Sequence, residues 1–247
     1  MQQTVLIVGG TSGLGRRLAE MYAAEGAKVG IVGRRQHLLD EIKSQFPVET
    51  FAFDICRNDA FEGMQAIIKK MGGVDILILA ASVVEFNPLL HYAIEEKTAA
   101  VNVLGFVAVV NAAYQHFTAK GKGQLVTITS IAAARGNKTA PAYNASKSFQ
   151  ASYTEGIRLK LLQEEAKIAV TEIVPGYMDT QMAKGDRLFW MASLEKASRQ
   201  SKRAIDLKRR RVYVSRRWWL VYKVYEFLPS FLYTALINSR IKFEKRD

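Results

Sequence analysis

The sequence predicts an α/β domain in which one doubly wound parallel sheet lies between two layers of helices. Short runs almost continuous in Val, Ile, Leu, Phe and Ala recur at 4–8, 28–32, 48–53, 74–80, 124–129 and 168–174. Strands that apolar belong to parallel sheets covered on both faces. Between them, 14–25, 36–45, 58–71, 94–119 and 142–165 have helical spacing and length, and strand, helix, strand repeated in this way builds right-handed crossovers. A glycine-rich turn joins the first strand to the first helix, where the chain must reverse tightly.

Taken in order, Val5-Leu6-Ile7-Val8 forms the first strand and Gly9 to Gly15 the turn into the first helix. The second strand ends at Gly33-Arg34-Arg35 and the third at Asp54. Ala80 follows the fourth, and Ser130 ends the fifth. The helix at 142–165 opens after Pro141, a residue suited to a first helical turn, and Pro175-Gly176 closes the sixth strand. Ligands of such sheets bind beyond the carboxyl ends of the strands, so Gly9, Gly33, Asp54, Ala80, Ser130 and Pro175 share one rim. After Gly176 the regularity fades. Residues 177–192 are rich in Met, Phe, Trp and Tyr. A helix is expected at 193–207, a strand at 212–215, and a further helix from Trp218 that Pro229 interrupts before helix resumes to about residue 242. The whole of 1–247 reads as a single domain, with 177–207 as a lid region and 216–247 as a C-terminal helical extension.

Composition narrows the class. With 49% apolar residues and a mean hydropathy of −0.02, the chain reads as a soluble globular protein. Cys56 is the single cysteine, which excludes an internal disulfide framework and a multi-cysteine metal site and fits a reducing, cytoplasmic compartment. No basic leader precedes an apolar core, and no window reaches the roughly 18 uninterrupted apolar residues of a spanning helix. His37, His91 and His116 have no ligand spacing, so neither a metal site nor a serine–histidine–acid triad is supported. The net charge of +12 is unevenly placed. Residues 1–183 carry 18 Lys/Arg and 17 Asp/Glu, net +1, whereas 184–247 carry 17 and 6, net +11. The basic character belongs to the tail.

The chemistry concentrates at Tyr143-Asn144-Ala145-Ser146-Lys147. Residues four apart share a helical face, so phenol and ammonium can sit side by side over one ligand, and a fixed cation is expected to lower the phenol pKa toward a range useful for proton transfer. The pattern alone is weak, but Ser130 stands thirteen residues upstream at a strand end. At the other end of the rim, the glycines at 9, 13 and 15 allow the backbone to approach a pyrophosphate at a helix N-terminus, the Rossmann-like arrangement. A tight strand-to-helix turn alone is the bland alternative. A Rossmann site for NAD carries an acid after the second strand, whereas Arg34 and Arg35 suit a 2′-phosphate, which points to NADP(H).

Gly9-x-x-x-Gly13-x-Gly15, Asp54, Asn102, Ser130, Tyr143, Lys147 and Pro175-Gly176 with Thr180 together resemble the short-chain dehydrogenases/reductases in order and spacing over about residues 4–180. The resemblance implies an NADP(H)-dependent oxidoreductase acting on a carbonyl or secondary alcohol, with a catalytic tetrad of Asn102, Ser130, Tyr143 and Lys147. By the same resemblance Ser130 donates to the reacting oxygen and Tyr143 is the general acid/base. Lys147 binds the nicotinamide ribose, and Asn102 holds a water that relays protons. The implied cofactor shell comprises Gly9, Thr11, Ser12, Gly13, Leu14, Gly15, Arg34, Arg35, Asp54, Ile55, Ala80, Ala81, Tyr143, Lys147, Pro175, Gly176, Met178 and Thr180. Asp54 would meet adenine, though an aspartate ending a strand is also an ordinary turn residue. Two departures stand out. Leu79-Ala80-Ala81-Ser82 replaces the family's Asn-Asn-Ala-Gly, and Val8 replaces its usual threonine; the two changes read as one compensated alteration.

Tyr177, Met182 and Phe189, with Val83 on the opposing wall, are candidate substrate residues, and an apolar lid points to an apolar substrate. Arg209 to Arg211, Arg216 and Arg217 precede Trp218, Trp219, Tyr222, Tyr225, Phe227 and Leu228, so 209–228 is a candidate for peripheral contact with the inner face of a membrane. The alternative is that these aromatics cover the sheet edge or a subunit interface. No nucleic-acid recognition module is present. A homodimer or homotetramer packed through 94–119 and 142–165 is the family's habit. The rival reading from another class is a catalytically silent NADP(H)-binding sensor or interaction protein.

Overall fold

A computed structural model describes residues 2–178 and 190–235. Seven strands, β1 (Thr4–Val8), β2 (Lys28–Gly33), β3 (Val48–Ala52), β4 (Ile76–Leu79), β5 (Lys122–Ile128), β6 (Lys167–Pro175) and β7 (Arg211–Val214), form one sheet. All are parallel, in the order β3-β2-β1-β4-β5-β6-β7. Leu6 of β1 lies between Gly30 of β2 and Leu77 of β4. The strand order reverses between β1 and β4, which opens a crevice at their carboxyl ends.

Successive β1 side chains point to opposite faces and build two cores. Val5 and Ile7 pack with Leu18, Tyr22, Leu39, Ile42 and Ile205, beneath α1 (Gly13–Ala24), α2 (Gln36–Gln45) and α7 (Leu194–Asp206). Leu6 and Val8 pack on the other side with Met64, Ile67, Leu77, Phe106, Val110 and Phe117. There lie α3 (Ala60–Lys70), α5 (Phe106–Lys120) and α6 (Pro141–Gln163). The near-continuous apolar strands predicted from sequence are thus covered on both faces.

The helix expected at 94–119 differs in one respect. α4 (Tyr92–Ala99) passes through a π-helical stretch, Ala100–Gly105, before α5 begins. The widened turn presents Asn102 inward, and Gly105 lets Ile55 pack close, since a Cβ there would lie 2.8 Å from Ile55 Cγ1. Such insertions are frequent at functional sites.

The C-terminal region covers the sheet edge with its inner face. β7 pairs with β6, and Arg211 Nε lies 2.6 Å from the carboxylate of buried Glu172, which also accepts the Thr129 hydroxyl proton at 2.9 Å. Beyond it, α8 (Trp218–Phe227) turns Trp218 and Tyr222 inward against Val174 and Tyr213. Chain beyond Pro229 is again helical to the last described residue. The basic run and the aromatic helix are separate elements, because the strand expected at 212–215 forms between them as β7. Arg211 is ion-paired, and β7, about 13 Å long, separates Arg209 and Arg210 from Arg216 and Arg217. No described helix is long and apolar enough to cross a membrane.

Candidate functional site

The glycine turn is shaped by backbone contact. Gly9 adopts φ +87°, and a Cβ there would lie 2.4 Å from Ala81 N, so β1 and the segment after β4 meet too closely for any side chain. The Val8 carbonyl accepts the amide protons of both Ala80 and Ala81, at 2.8 and 2.9 Å. Main-chain bonds thus fasten to β1 the segment that carries the altered residues 79, 80 and 82. At the α1 N-terminus, Ser12 is the cap residue but its side chain makes no capping bond, and no acid lies in the first turn. Gly13, Leu14 and Gly15 therefore begin the helix with its positive end available to an anion. That arrangement fits a dinucleotide pyrophosphate.

The two arginines lie beside this turn. Arg35 Nη2 donates to the hydroxyls of Thr11 at 3.0 Å and Ser12 at 3.3 Å. Arg34 Nη1 is 3.6 Å from the Asp54 carboxylate, whose Oδ1 accepts the Cys56 amide proton at 3.0 Å. Asp54 is thus both a turn residue and a neighbour of Arg34, and Ile55 beside it is buried.

Across the crevice, β5 ends and Ser130 opens a 3-10 turn, Ile131–Ala134, with its Oγ accepting the Ala132 amide proton at 3.1 Å. Asn144 of α6 donates to the Ala132 and Arg135 carbonyls at 3.0 and 2.7 Å, which locks this turn against the helix carrying Tyr143. Burial raises the Tyr143 pKa above its ordinary value, and the Ser130 hydroxyl pulls it partly back. The lowering expected from the neighbouring lysine is not what dominates. Lys147 Nζ is 5.7 Å from the centre of the Tyr143 ring, and burial costs the phenolate its hydration. The same burial brings Lys147 down to about 7.

Asn102 is committed to protein partners. Its Oδ1 accepts from Val83 N at 2.9 Å and Ser82 Oγ at 3.1 Å, while Nδ2 donates to Val83 O at 2.8 Å and Ser146 Oγ at 3.0 Å. It therefore clamps the segment after β4, including Val83, to α6. Its main-chain carbonyl accepts from Gln150 Nε2 at 2.8 Å, and Gln150 Oε1 accepts from Lys147 Nζ at 2.9 Å. Lys147 also donates to the Ile128 carbonyl at 3.2 Å.

Pro175 ends β6, and Gly176 donates its amide proton to Val214 O at 2.7 Å. A Cβ at Gly176 would lie 2.1 Å from Trp218 Nε1, so the tail indole sits directly on the Pro-Gly turn. Tyr177 and Trp190 meet Trp218 edge-on at centroid distances of 5.3 and 6.1 Å, and Met178 pairs with Ala192. Thr180, Met182 and Phe189 lie outside the described residues. Sequence reasoning missed Gln150, Ser146 and Trp218 at this site. A signal for Gln150 was present, because it lies three residues after Lys147 and seven after Tyr143, on the same helical stripe. Trp218 gave none, since its contact joins residues far apart in sequence.

A family model described as short chain dehydrogenase matches residues 3–188. The chain belongs to the short-chain dehydrogenase family. Among relatives of this short-chain dehydrogenase, an uncharacterized oxidoreductase of Myxococcus xanthus is 31% identical over 188 residues, 73% of this chain and 74% of the relative. Another, of Staphylococcus epidermidis, is 26% identical over 189 residues, 74% of this chain and 81% of the relative. Among solved structures, a short-chain dehydrogenase from Sphingobium yanoikuyae in complex with NADPH gives a TM-score of 0.78 at 19% identity, covering 99% of this chain and 96% of that one. The bulky-bulky ketone specific alcohol dehydrogenase from Comamonas testosteroni gives 0.73 at 17% identity, with 99% and 94% covered. At those identities the structures bear on the fold, a Rossmann-like α/β domain. Family membership makes the protein a short-chain dehydrogenase-type oxidoreductase.

The seat of Trp218 on Gly176 is open to test. Gly176→Ala should displace the indole, red-shifting the tryptophan emission and lowering the melting temperature. An unchanged spectrum in the folded variant would contradict the contact.

Proposed function

We propose that this short-chain dehydrogenase transfers hydride between NADP(H) and the carbonyl or secondary alcohol of an apolar substrate, with Tyr143 as general acid/base. The observation that carries this reading is that Ser130 acts on the Tyr143 phenol beside Lys147, on the same rim as a helix N-terminus suited to pyrophosphate. NADPH, when bound, supplies the hydride. Ser130 donates a hydrogen bond to the carbonyl oxygen, and Tyr143 gives that oxygen its phenolic proton as negative charge builds there. A phenol whose pKa lies above its ordinary value is fully protonated at neutral pH, which favours its role as donor in the reductive direction. Lys147 holds the ribose hydroxyls and offers positive charge near the phenol. The glycine turn receives the pyrophosphate, and Ala80, Ala81, Pro175 and Gly176 present backbone toward the ribose and ring. Tyr177, with Val83 opposite, supplies the apolar wall.

Preference for the 2′-phosphate is supported by Arg34, which is half exposed and held loosely by Asp54, and by Arg35 on the glycine turn. The bound NADPH of the Sphingobium yanoikuyae enzyme is in keeping with it. A separate observation supports peripheral contact with an anionic lipid surface. Trp219, Leu220, Val224, Phe227 and Phe231 are exposed along the outward face of α8 and the segment beyond, flanked by exposed Arg216 and Arg217. An apolar face bordered by cations complements anionic headgroups.

Tyr143→Phe should keep NADPH affinity while NADPH oxidation on a panel of apolar ketones falls about 10²–10⁴-fold; oxidation at the wild-type rate would remove Tyr143 from the chemistry. Arg34→Ala should weaken NADPH binding roughly 10-fold or more and leave NADH binding unchanged, as loss of a charge-assisted bond to phosphate requires. Equal weakening of both in fluorescence titrations would refute the phosphate contact. Vesicles containing phosphatidylserine should pull the wild-type protein down on sedimentation, and Trp219→Ser with Phe227→Ser should release it. Concentration-dependent self-association without vesicle binding would instead make the face a subunit interface.

A further inference from the structure

We propose that Gln150 is a positioning residue of this site, its side-chain amide tying the Lys147 ammonium to the Asn102 carbonyl and thereby setting where that ammonium sits and whether it keeps its charge. The functional consequence rests on the Tyr143–Lys147 reading above; the geometry does not. Asn102, Lys147 and Gln150 are 0%, 2% and 1% exposed, and the chain of bonds runs from Nζ to Oε1 at 2.9 Å and from Nε2 to the carbonyl at 2.8 Å. The direction of the amide follows from chemistry. An ammonium can only donate and a carbonyl can only accept, so oxygen must face Lys147 and nitrogen must face Asn102.

Lys147 forms no ion pair among the described residues, so its charge is held in the interior by neutral acceptors. Two are present, Gln150 Oε1 and, at 3.2 Å, the Ile128 carbonyl of β5. The titratable groups on this side are Tyr143, on the same helix, and beyond it Tyr177, which acts on Tyr143 electrostatically. The π-helical stretch and the β5 end contribute only neutral polar groups, Asn102 and Ser130. Burial has already drawn the amine down to about 7, close to the pH at which charge and neutrality balance. Removing Oε1 leaves one acceptor of two, which disfavours the ammonium further. The amide also fixes the distance between Lys147 and the π-helical stretch. Asn102 therefore acts on Lys147 through Gln150, a link beyond the water-holding role that the family resemblance implies.

The test reads Lys147 itself. In protein carrying isotope-labelled lysine, the buried Nζ resonance is assigned by its loss in Lys147→Met and followed against pH. Gln150→Leu should lower the titration midpoint by about one unit or more, whereas Gln150→Glu, which keeps an acceptor and adds negative charge, should raise it. A merely space-filling Gln150 would change the melting temperature and leave both midpoints at the wild-type value. That result overturns the proposal, and if Gln150→Leu does not fold, an unmoved midpoint in Gln150→Glu does so alone. NADPH titration of the wild-type protein separates the two readings. Failure to bind NADPH sinks the proposed function and leaves the Gln150–Lys147 link to stand or fall on its midpoints.

Discussion

A buried amine held by neutral acceptors is the constraint on which the site turns. Water would solvate the Lys147 ammonium far better than the interior does, and the protein answers with a side-chain amide and a strand-end carbonyl rather than with a carboxylate. A carboxylate would have fixed the charge permanently and cancelled its field at the neighbouring phenol. Neutral acceptors leave the amine near its balance point and leave its field uncancelled. Everything that holds those acceptors in place serves the pair: the end of β5, the π-helical turn that aims the Asn102 carbonyl, and the face of α6 carrying Tyr143, Lys147 and Gln150.

The glycine turn is governed by a different economy, that of close backbone approach. Where a threonine and two asparagines are replaced by Val8, Leu79 and Ala80, main-chain bonds to the Val8 carbonyl carry the link between β1 and the segment after β4. Asn102 then fastens Ser82 and Val83 from the other side. Glycine at position 9 is what the contact requires, because a Cβ there would meet the Ala80 and Ala81 backbone.

The tail ties together the turns that follow β5 and β6. Trp218 rests on Gly176 and meets Tyr177 and Trp190, while Arg135, just after the Ser130 turn, donates to the carbonyls of Tyr225 and Leu228. The region that looks in sequence like an appended basic segment is therefore packed against the turns that follow β5 and β6. Its inner face is structural, and only its outward face is left for a partner.

The amino-acid sequence by itself determined the layered fold and the rim. Strand runs buried on both faces must be continuously apolar, and Gly9, Ser130, Tyr143 and Lys147 are spaced by local geometry that a chain displays without folding. It also located Arg34 and Arg35, since the end of the second strand follows from the same alternation. Tertiary structure decided the remainder. That Tyr143 is raised and not lowered depends on how much water its neighbours exclude, a property of packing between distant segments. The split of the basic run from the aromatic helix depends on β7 joining the sheet, and the contact of Trp218 with Gly176 on a chain that returns after some forty residues. Hydrogen bonds such as Gln150 to Asn102 form only once two helices have docked, because each partner is an unremarkable polar residue until burial removes its water.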